Sequence, residues 1–481
     1  MKIEEFIASK LTDNSMFSFR RTSKNVFECS DRLGKTIPLK NDTYYSNSQD
    51  VVIHQFLETI QGDLSILFNN KDFIEKNLMI FGDDREYEHN TNDKLFLYQS
   101  KKSSMDGSCL ETGNLVGYVS KKIDNKIFTI GITSRFGDNF LKHLVAASDG
   151  FLAIDNFGDI DSTGLAEWLL VFLWKVSLLK AYRLGIPKMY VGRHESVVSI
   201  RGNIDINKVA INPAYIPPYE CTYFEHSYNN SVTRLIFNTF RFITNKDLIQ
   251  DIHKIRQDFS IATGASVDPV NKLVGDTEIR NPYYLPYTDV AKISKKIITR
   301  QMAFFGTEES DLSAFLFDIS MLFEHFIRKI LIHKGYRLNT KNKSELSVPN
   351  GISRNKLLPD IIVYNDDGSC DIFDVKYKHF SFQQGVLRED IFQINTYVGQ
   401  VMNQTAVRRC GFIYPLRASR AQQACNLQPT SLMVAGNAVE FIVFFFIVPD
   451  HNENNYASAF KKSIQDFLDT FCKGNISSGE S

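Results

Sequence analysis

The clearest alternation of apolar and polar positions lies in the C-terminal third of the chain. Between Leu312 and Ile330, apolar residues recur every three or four positions, which predicts one helix that ends at Gly335. Two strand-like runs follow, Asp360–Tyr364 and Cys370–Tyr377, joined by Asn-Asp-Asp-Gly, which is typical of a hairpin turn. The later predicted elements are a helix, two strands and a closing helix: Arg388–Met402, Arg409–Tyr414, Val439–Val448 and Tyr456–Phe471.

This order of elements predicts an α/β sandwich, with helices around a small mixed sheet. Further upstream the pattern predicts one strand and three helices: Phe128–Ile132, a helix from Asp138, Leu165–Tyr182 and Asn229–Ile243. The stretch Ala262–Tyr287 is rich in Gly, Pro, Asn and Asp, which indicates a loop or a connection between domains. At 481 residues, we expect a multidomain α/β (α+β) protein with boundaries near residues 100 and 300.

The composition narrows the class of protein. The chain is 43% hydrophobic and 23% charged, as in ordinary globular proteins, and Lys+Arg and Asp+Glu are both 55, so the formal net charge is zero. Because proteins that bind DNA over their whole surface are usually basic, any DNA contact must come from a local patch or be shared with a partner. The seven cysteines form no CxxC pair, which argues against a zinc ribbon or a disulfide framework and favours reduced thiols in the cytoplasm.

Neither a membrane span nor a nucleotide site is predicted. The N-terminal residues lack the apolar core of a signal peptide, the apolar run Trp168–Leu179 is broken by Lys175, and Val439–Val448 is about half the length of a spanning helix. The nearest match to a P-loop, at Gly34-Lys35-Thr36, has Cys29 where the first glycine is needed. We therefore expect any nucleotide hydrolysis to belong to another polypeptide.

The candidate chemistry lies on the predicted hairpin. Alternate residues of a strand share a face, so Asp374 and Lys376 point the same way, and Asp360 stands at the head of the neighbouring strand. Two adjacent carboxylates repel each other, and Mg²⁺ or Mn²⁺ would relieve that repulsion and activate a water molecule against a phosphate. The lysine would orient or deprotonate the water or stabilise the phosphorane. The alternative is a solvated surface ion pair.

Four further positions extend this hypothesis. Glu324 has apolar neighbours on its helix, so it is either a third metal ligand or an acid paired with a nearby Arg or Lys. Val375, between Asp374 and Lys376, is also predicted to bind the metal. Gln393 and Tyr397 lie one helical turn apart, where they would support the lysine or touch the scissile strand, or form an ordinary polar face.

Several arginines flank the next predicted strand: Arg408, Arg409, Arg417 and Arg420. They are candidates for phosphate contacts, with a solvated basic loop as the alternative.

These residues resemble the McrC family, the nuclease subunits of McrBC-type and LlaJI-type restriction systems, most strongly over Phe315–Phe446. Leu322-Phe-Glu-His-Phe resembles the family's helix with its acidic residue. Leu358-Pro-Asp-Ile and Phe373-Asp-Val-Lys-Tyr-Lys378 resemble its catalytic strands. Gln393 and Tyr397 are similar to a Q-x-x-x-Y helix shared with RecB-like nucleases. The resemblance implies a PD-(D/E)xK endonuclease domain in residues 301–481, with a central mixed sheet flanked by helices.

The resemblance also implies a partner. Weaker similarities in residues 101–300, which include Ile132-Thr-Ser-Arg-Phe-Gly137, suggest the region that in this family engages and stimulates a hexameric AAA+ GTPase, McrB. Arg135 in that block is either a contact residue or a structural arginine, and the role of residues 1–100 stays open. We expect a double-stranded DNA endonuclease subunit. The alternatives are a stand-alone RecB-like repair nuclease and a GTPase-activating protein whose nuclease site has lapsed.

Overall fold

The structure is a computed structural model. It describes most of the chain: residues 6–21, 27–31, 36–37, 55, 57–59, 78–79, 96–99, 108–123, 126–148, 162–207, 217–244, 246–275, 277, 279, 281–305, 312–339, 359–450, 453 and 455–473. The chain forms two compact units, one of residues 1–163 with 314–481 and one of residues 164–313. The functional boundaries that we expect near residues 100 and 300 stay predictions.

Strands and helices are numbered in chain order. The strands are β1 (Phe6–Thr12), β2 (Met16–Arg21), β3 (Phe27–Asp31), β4 (Thr36–Ile37), β5 (Leu78–Met79), β6 (Phe96–Gln99), β7 (Cys109–Thr112), β8 (Leu115–Ile123), β9 (Lys126–Thr133), β10 (Met189–Val197), β11 (Asn203–Ile204), β12 (Tyr219–Ser227), β13 (Leu312–Asp318), β14 (Arg337–Leu338), β15 (Ile361–Tyr364), β16 (Cys370–Val375), β17 (Val407–Arg417), β18 (Thr430–Val434) and β19 (Asn437–Val448). The helices are α1 (Asp138–Ser148), α2 (Ser162–Tyr182), α3 (Ser231–Phe242), α4 (His253–Thr263), α5 (Val270–Val274), α6 (Tyr287–Phe305), α7 (Ile319–Lys334), α8 (Arg388–Val401), α9 (Ala421–Cys425) and α10 (Tyr456–Lys473).

The first unit is built on a six-stranded mixed sheet in the order β14-β15-β16-β17-β19-β18. Its centre is parallel, because β16 pairs with β17 and β17 with β19 in parallel, while β15 and β18 pair antiparallel at either side. All six residues of β16 are buried. Helix α8 packs on β16 and β17, and α10 packs on β19. The predicted mixed α/β architecture is therefore confirmed.

Two five-stranded sheets complete the first unit, in the orders β1-β9-β8-β13-β5 and β4-β3-β2-β7-β6. One glycine is required where β17 meets β19. A Cβ atom added at Gly411 would lie 1.8 Å from the carbonyl oxygen of Ile442, and its φ of 152° is one that other residues rarely adopt. The two strands can approach each other this closely only with glycine at that position.

Two of the predicted segments, one beginning at Leu312 and one at Ala262, differ from the structure. The helix predicted from Leu312 begins at Ile319, because β13 joins the sheet beside β5 and Asp318 caps the helix by accepting from the N–H groups of Ser320 and Met321. Its predicted end at Gly335 is confirmed, with φ 103°. The stretch 262–287, predicted as a loop or inter-domain connection, lies inside the second unit and contains α5 and a 3-10 turn.

The second unit combines helices α2 to α6 with the antiparallel sheet β10-β12-β11. The apolar helix predicted at Leu165–Tyr182 is confirmed: Trp174 is buried in it and donates its indole N–H to Ser294 Oγ at 2.8 Å. Lys175 lies 2.9 Å from Asp251 as an ion pair. Within the described residues, no helix combines the length and the apolar character that crossing a bilayer requires.

A buried ion pair ties β16 to β17. Arg409 and Asp371 are both fully buried, and the Nη2 atom of Arg409 lies 2.6 Å from Asp371 Oδ2. Arg408 adds a contact of 2.8 Å to the same oxygen, and the Arg409 guanidinium lies near the rings of Phe373 and Phe471. Arg409 is therefore inaccessible to a phosphate, and the suggested phosphate contact is wrong for this residue.

We expect Asp371→Ala to destabilise the first unit strongly, because it leaves the Arg409 charge buried without its carboxylate. Breaking one partner of a buried pair costs about 3–5 kcal/mol. Urea denaturation followed by circular dichroism measures the effect. The control is Asp366→Ala, which removes a fully exposed partner of Arg337 and should leave the midpoint unchanged. Equal midpoints for the two variants would contradict this account of the sheet.

Candidate functional site

Two carboxylates meet at one end of the β15–β16 hairpin. The predicted turn forms, with Asn365 donating its backbone N–H to the carbonyl of Ser369 at 2.9 Å. Asp360 directly precedes β15, and its Oδ2 accepts from the backbone N–H of Val375 at 2.8 Å. Asp374, the residue before Val375, is 2% exposed. The hairpin therefore places Asp360 and Asp374 beside each other, as the sequence suggests.

Lys376 lies next to this acid pair and is held by helix α8. Its Nζ is 2.7 Å from Asp374 Oδ2 and donates to Gln393 Oε1 at 2.7 Å. Gln393 in turn donates through Nε2 to the Tyr397 hydroxyl at 2.8 Å. The spacing of one helical turn lines these two side chains up along α8. Tyr397 is buried, so the ordinary polar face that we kept as an alternative does not describe it.

A third acid, Asp390, joins the site and was missed from the sequence. It is 5% exposed, its Oδ1 lies 3.8 Å from Lys376 Nζ, and its Oδ2 lies 2.5 Å from Lys378 Nζ. Asp390 occupies the first turn of α8, three residues before Gln393 and so on the same face. That spacing was the available signal. In a sequence, however, an acid in a first turn is explained equally well by the helix dipole.

The carboxylate pair is electrostatically costly. Burial, followed by the nearby charge of Asp360, raises the pKa of Asp374 to about 7, although the Lys376 ammonium acts in the opposite direction. Burial alone would lower the pKa of Lys376, but the carboxylates of Asp374, Asp360 and Asp390 outweigh it and raise that pKa. Lys376 is therefore an ammonium at neutral pH, whereas Asp374 is close to its midpoint.

Hard oxygen atoms dominate this end of the hairpin. The carboxylates of Asp360 and Asp374, with the carbonyl of Val375 between Asp374 and Lys376, are the donors that Mg²⁺ and Mn²⁺ prefer. A divalent cation would relieve the repulsion that raises the pKa of Asp374, so the donor set fits such an ion. The observed part of this fit is the pair of carboxylates.

The structure does not group Glu324 with Asp360 and Asp374 as a third metal ligand. Across the described ranges, no three Asp, Glu, His or Cys side chains form a group that could hold one metal ion. Glu324 lies on α7 with its Oε1 shielded from solvent, one turn before Arg328, which donates to the backbone carbonyl of Asp360. A metal-binding role for Glu324 stays a prediction.

Arg135 is held by contacts within the first unit. Its backbone N–H donates to the buried carboxylate of Asp13 at 2.6 Å, and its guanidinium lies 4.5 Å from the ring centre of Tyr377. The hydroxyls of Tyr377 and Ser134 are 3.1 Å apart. These contacts join the ends of β1 and β9 to the residue that follows Lys376. They favour the structural alternative for Arg135 over a partner contact.

A family comparison assigns the chain to a class of restriction-system components. Residues 110–415 match the profile of the family described as McrBC 5-methylcytosine restriction system component. Because the match covers more than half of the chain, the chain belongs to this family, as its sequence resemblance indicates. No match was found among curated proteins.

The solved structures that are similar to the chain include the following two. One is described as a refined half-complex from a tetradecameric assembly of Thermococcus gammatolerans McrB AAA+ hexamers with bound McrC. The matched chain has a TM-score of 0.52 and 12% identity, over 96% of this chain and 99% of that one. The other is a cryo-EM structure of the Thermococcus gammatolerans McrBC complex, with a TM-score of 0.36 and 12% identity, over 68% of this chain and 87% of that one. At this identity the first likeness shows a shared fold and nothing further.

The raised pKa of Asp374 predicts a pH dependence of stability without added metal. Between its ordinary pKa of 3.8 and its folded pKa of about 7, the folded chain keeps a proton that the unfolded chain has released. Stability from this group is therefore full below pH 3.8 and is lost as the pH rises through about 7. Asp374→Asn should lack this loss. Its melting temperature relative to wild type should rise between pH 5 and pH 8 in chelator-treated buffer.

Exposed Asp366 provides the matched control, because Asp366→Asn removes a carboxylate that burial does not affect. A constant difference between Asp374→Asn and wild type at all pH values would show that Asp374 titrates normally.

Proposed function

We propose that this chain is the metal-dependent DNA endonuclease subunit of a McrBC/LlaJI-type restriction system. The observation that carries the proposal is the cluster of Asp360, Asp374 and Lys376 at the end of a buried hairpin, with the lysine held by Gln393. Membership of the McrBC family supports it. The six-stranded mixed sheet with helices α8 and α10 packed on it supports assignment of the C-terminal part to the PD-(D/E)xK fold.

Asp360, Asp374 and the carbonyl of Val375 would hold the Mg²⁺ or Mn²⁺ ion, with Glu324 as a further candidate. When bound, the ion would lower the pKa of a water molecule and neutralise charge on the attacked phosphodiester. The raised pKa of Lys376 keeps it protonated, so its proposed role is to stabilise the developing negative charge and not to accept a proton. Gln393, Tyr397 and Asp390 fix the ammonium, which limits the reorganisation needed in the transition state.

The proposed partners are double-stranded DNA and a McrB-like AAA+ GTPase, with the complex acting in the cytoplasm. A zero net charge gives the chain little long-range attraction to DNA, and the sequence has no P-loop. Both features suit a nuclease that is delivered to DNA by a separate motor. The similar Thermococcus gammatolerans structure contains McrB AAA+ hexamers with bound McrC, which supports the same kind of assembly.

Asp374→Ala and Lys376→Ala should each abolish DNA cleavage while the fold is retained. Loss of a metal ligand, or of the charge that faces the phosphate, should lower the rate by several orders of magnitude. Cleavage of plasmid DNA with Mg²⁺, by the chain together with its GTPase, measures this effect. Asp366→Ala and Lys462→Ala remove the same charges from exposed positions and should leave cleavage intact. Wild-type cutting by a folded Asp374→Ala variant would sink the site assignment.

The full chain carrying Asp374→Ala should still raise GTP hydrolysis by its McrB-like partner. We expect partner binding to depend on residues upstream of about 300, so loss of the nuclease site should leave stimulation unchanged. A truncated chain is unsuitable, because residues 1–163 and 314–481 form one compact unit. GTP turnover with and without the chain, together with co-elution, provides the measurement. An unchanged rate and no co-elution would favour the alternative of a stand-alone RecB-like nuclease.

A further inference from the structure

The four arginines that flank β17 divide into two pairs. Arg408 and Arg409 are neutralised by Asp371. Within the described part of the chain, Arg417 and Arg420 form no ion pair with a carboxylate. Arg417 ends β17 and is exposed, while Arg420 follows in a short 3-10 turn and is half-buried. Their guanidinium groups are therefore available to an anion, whereas those of the first pair are not.

Both guanidinium groups are nevertheless held in place by uncharged contacts. Arg417 donates through Nη2 to the backbone carbonyl of Arg135, and its guanidinium carbon lies 5.9 Å from the ring centre of Phe136. Arg420 donates through Nη1 to His379 Nε2 at 2.9 Å, and it lies 5.0 Å from the ring centre of Phe382. A guanidinium that is fixed in this way loses less conformational entropy when it binds a phosphate.

Donor groups are left over after these contacts. Arg417 uses one nitrogen and Arg420 uses Nε, in a bond of 3.1 Å to Gln423 Oε1, and Nη1. With respect to the described residues, Arg417 Nε and Nη1 and Arg420 Nη2 donate no hydrogen bond. A guanidinium carries five N–H donors, so each of these two has N–H groups without an acceptor among the described residues.

The charge around His379 is positive. Burial lowers the pKa of His379, and the neighbouring charges of Arg420, Arg135 and Arg417 lower it further. The ring is therefore neutral at pH 7 and accepts from Arg420. The other charges near this group are already balanced, because Arg135 lies 3.4 Å from the carboxylate of Asp13 and Lys378 lies 2.5 Å from that of Asp390. The excess positive charge belongs to Arg417 and Arg420.

This cluster lies at the same end of the parallel strands as the proposed catalytic residues. Strands β16 and β17 are parallel, and Lys376 donates its backbone N–H to the carbonyl of Ile413 at 2.9 Å. Arg417 lies four residues beyond Ile413 along β17, and His379 lies three residues beyond Lys376. Arg417 and Arg420 therefore lie at and beyond the C-terminal ends of the parallel strands, the end at which Asp374 and Lys376 also lie.

We propose that Arg417, Arg420 and His379 form a phosphate-binding subsite. This subsite takes the phosphodiester of the DNA strand that is adjacent to the phosphodiester that is cut. The inference rests on the proposed nuclease function, because it assigns a substrate contact to that same site. Arg417 and Arg420 would donate their remaining N–H groups to the phosphate oxygens. Because His379 accepts from Arg420 through Nε2, its neutral ring carries its proton on Nδ1, which would supply a third donor.

Binding of a labelled DNA duplex to the full chain tests this subsite directly. All variants are made in an Asp374→Asn background, which leaves the DNA uncut, and fluorescence anisotropy is measured over a range of salt concentrations. Arg417→Ala and Arg420→Ala should each weaken binding about tenfold. Each should also reduce the slope of log K against log salt by about 1. Arg420→Lys should keep the slope but regain only part of the affinity.

Arg337→Ala is the matched control, because Arg337 is an exposed arginine of the edge strand β14 and should change neither quantity. Equal binding by all variants, or no binding of DNA by the parent chain at low salt, would overturn the subsite. A competition experiment gives a further check. If GTP or inorganic phosphate displaces the DNA at a concentration comparable to that of the DNA, and the displacement requires these two arginines, the subsite is overturned. The site would then belong to a nucleotide or a free anion.

Cleavage kinetics separate this inference from the proposed function. In the otherwise wild-type chain with its GTPase, Arg417→Ala should raise KM about tenfold and leave kcat nearly unchanged, as expected for a contact that is equal in the ground and transition states. Asp374→Ala removes kcat. If Asp374→Ala abolishes cleavage while Arg417→Ala changes nothing, the subsite fails and the nuclease assignment stands.

Discussion

The repulsion between Asp360 and Asp374 is the interaction on which the candidate site depends. A buried hairpin sets the two carboxylates side by side, and burial together with the neighbouring charge raises the pKa of Asp374 to about 7. Lys376 offsets part of this cost at 2.7 Å, and is itself fixed by Gln393 and Asp390. For stability alone, apolar residues at these two positions would be more favourable than two buried carboxylates. The divalent cation that we propose for this site would offset the repulsion.

A second buried charge pair fixes the opposite face of the same strand. Alternation along β16 turns Asp374 toward α8 and Asp371 toward α10, so neighbouring buried acids serve different purposes. Asp371 is paired with Arg409, whose Nη1 also donates to the carbonyl of Phe471 at 3.4 Å. The position of Asp374 relative to Asp360 therefore rests on a second charge pair that never meets solvent. Loss of either pair would shift β16, the strand that carries Asp374.

Local sequence signals predicted the parts of the site that depend on short-range geometry. The Asp-Gly turn, the alternation that places Lys376 beside Asp374, and the one-turn spacing of Gln393 and Tyr397 each follow from a single element. The errors arise where distant segments meet. Residues 312–318 follow helical spacing but pair as a strand with β5, and Arg409 was judged as a surface residue because its partner lies 38 positions away. Asp390 was missed because an acid in the first turn of a helix is explained equally well by the helix dipole.

Direct binding of Mn²⁺ tests the central claim, that the carboxylate pair is built for a cation. Isothermal titration calorimetry of the chelator-treated full chain near pH 7, repeated in two buffers of different ionisation enthalpy, measures affinity and proton release together. Mn²⁺ should bind with release of protons, because the metal displaces the proton that Asp374 partly retains. Asp374→Asn should weaken the binding and remove the proton release. No binding of Mn²⁺, or equal binding and proton release by the two proteins, would contradict a cation site at this pair.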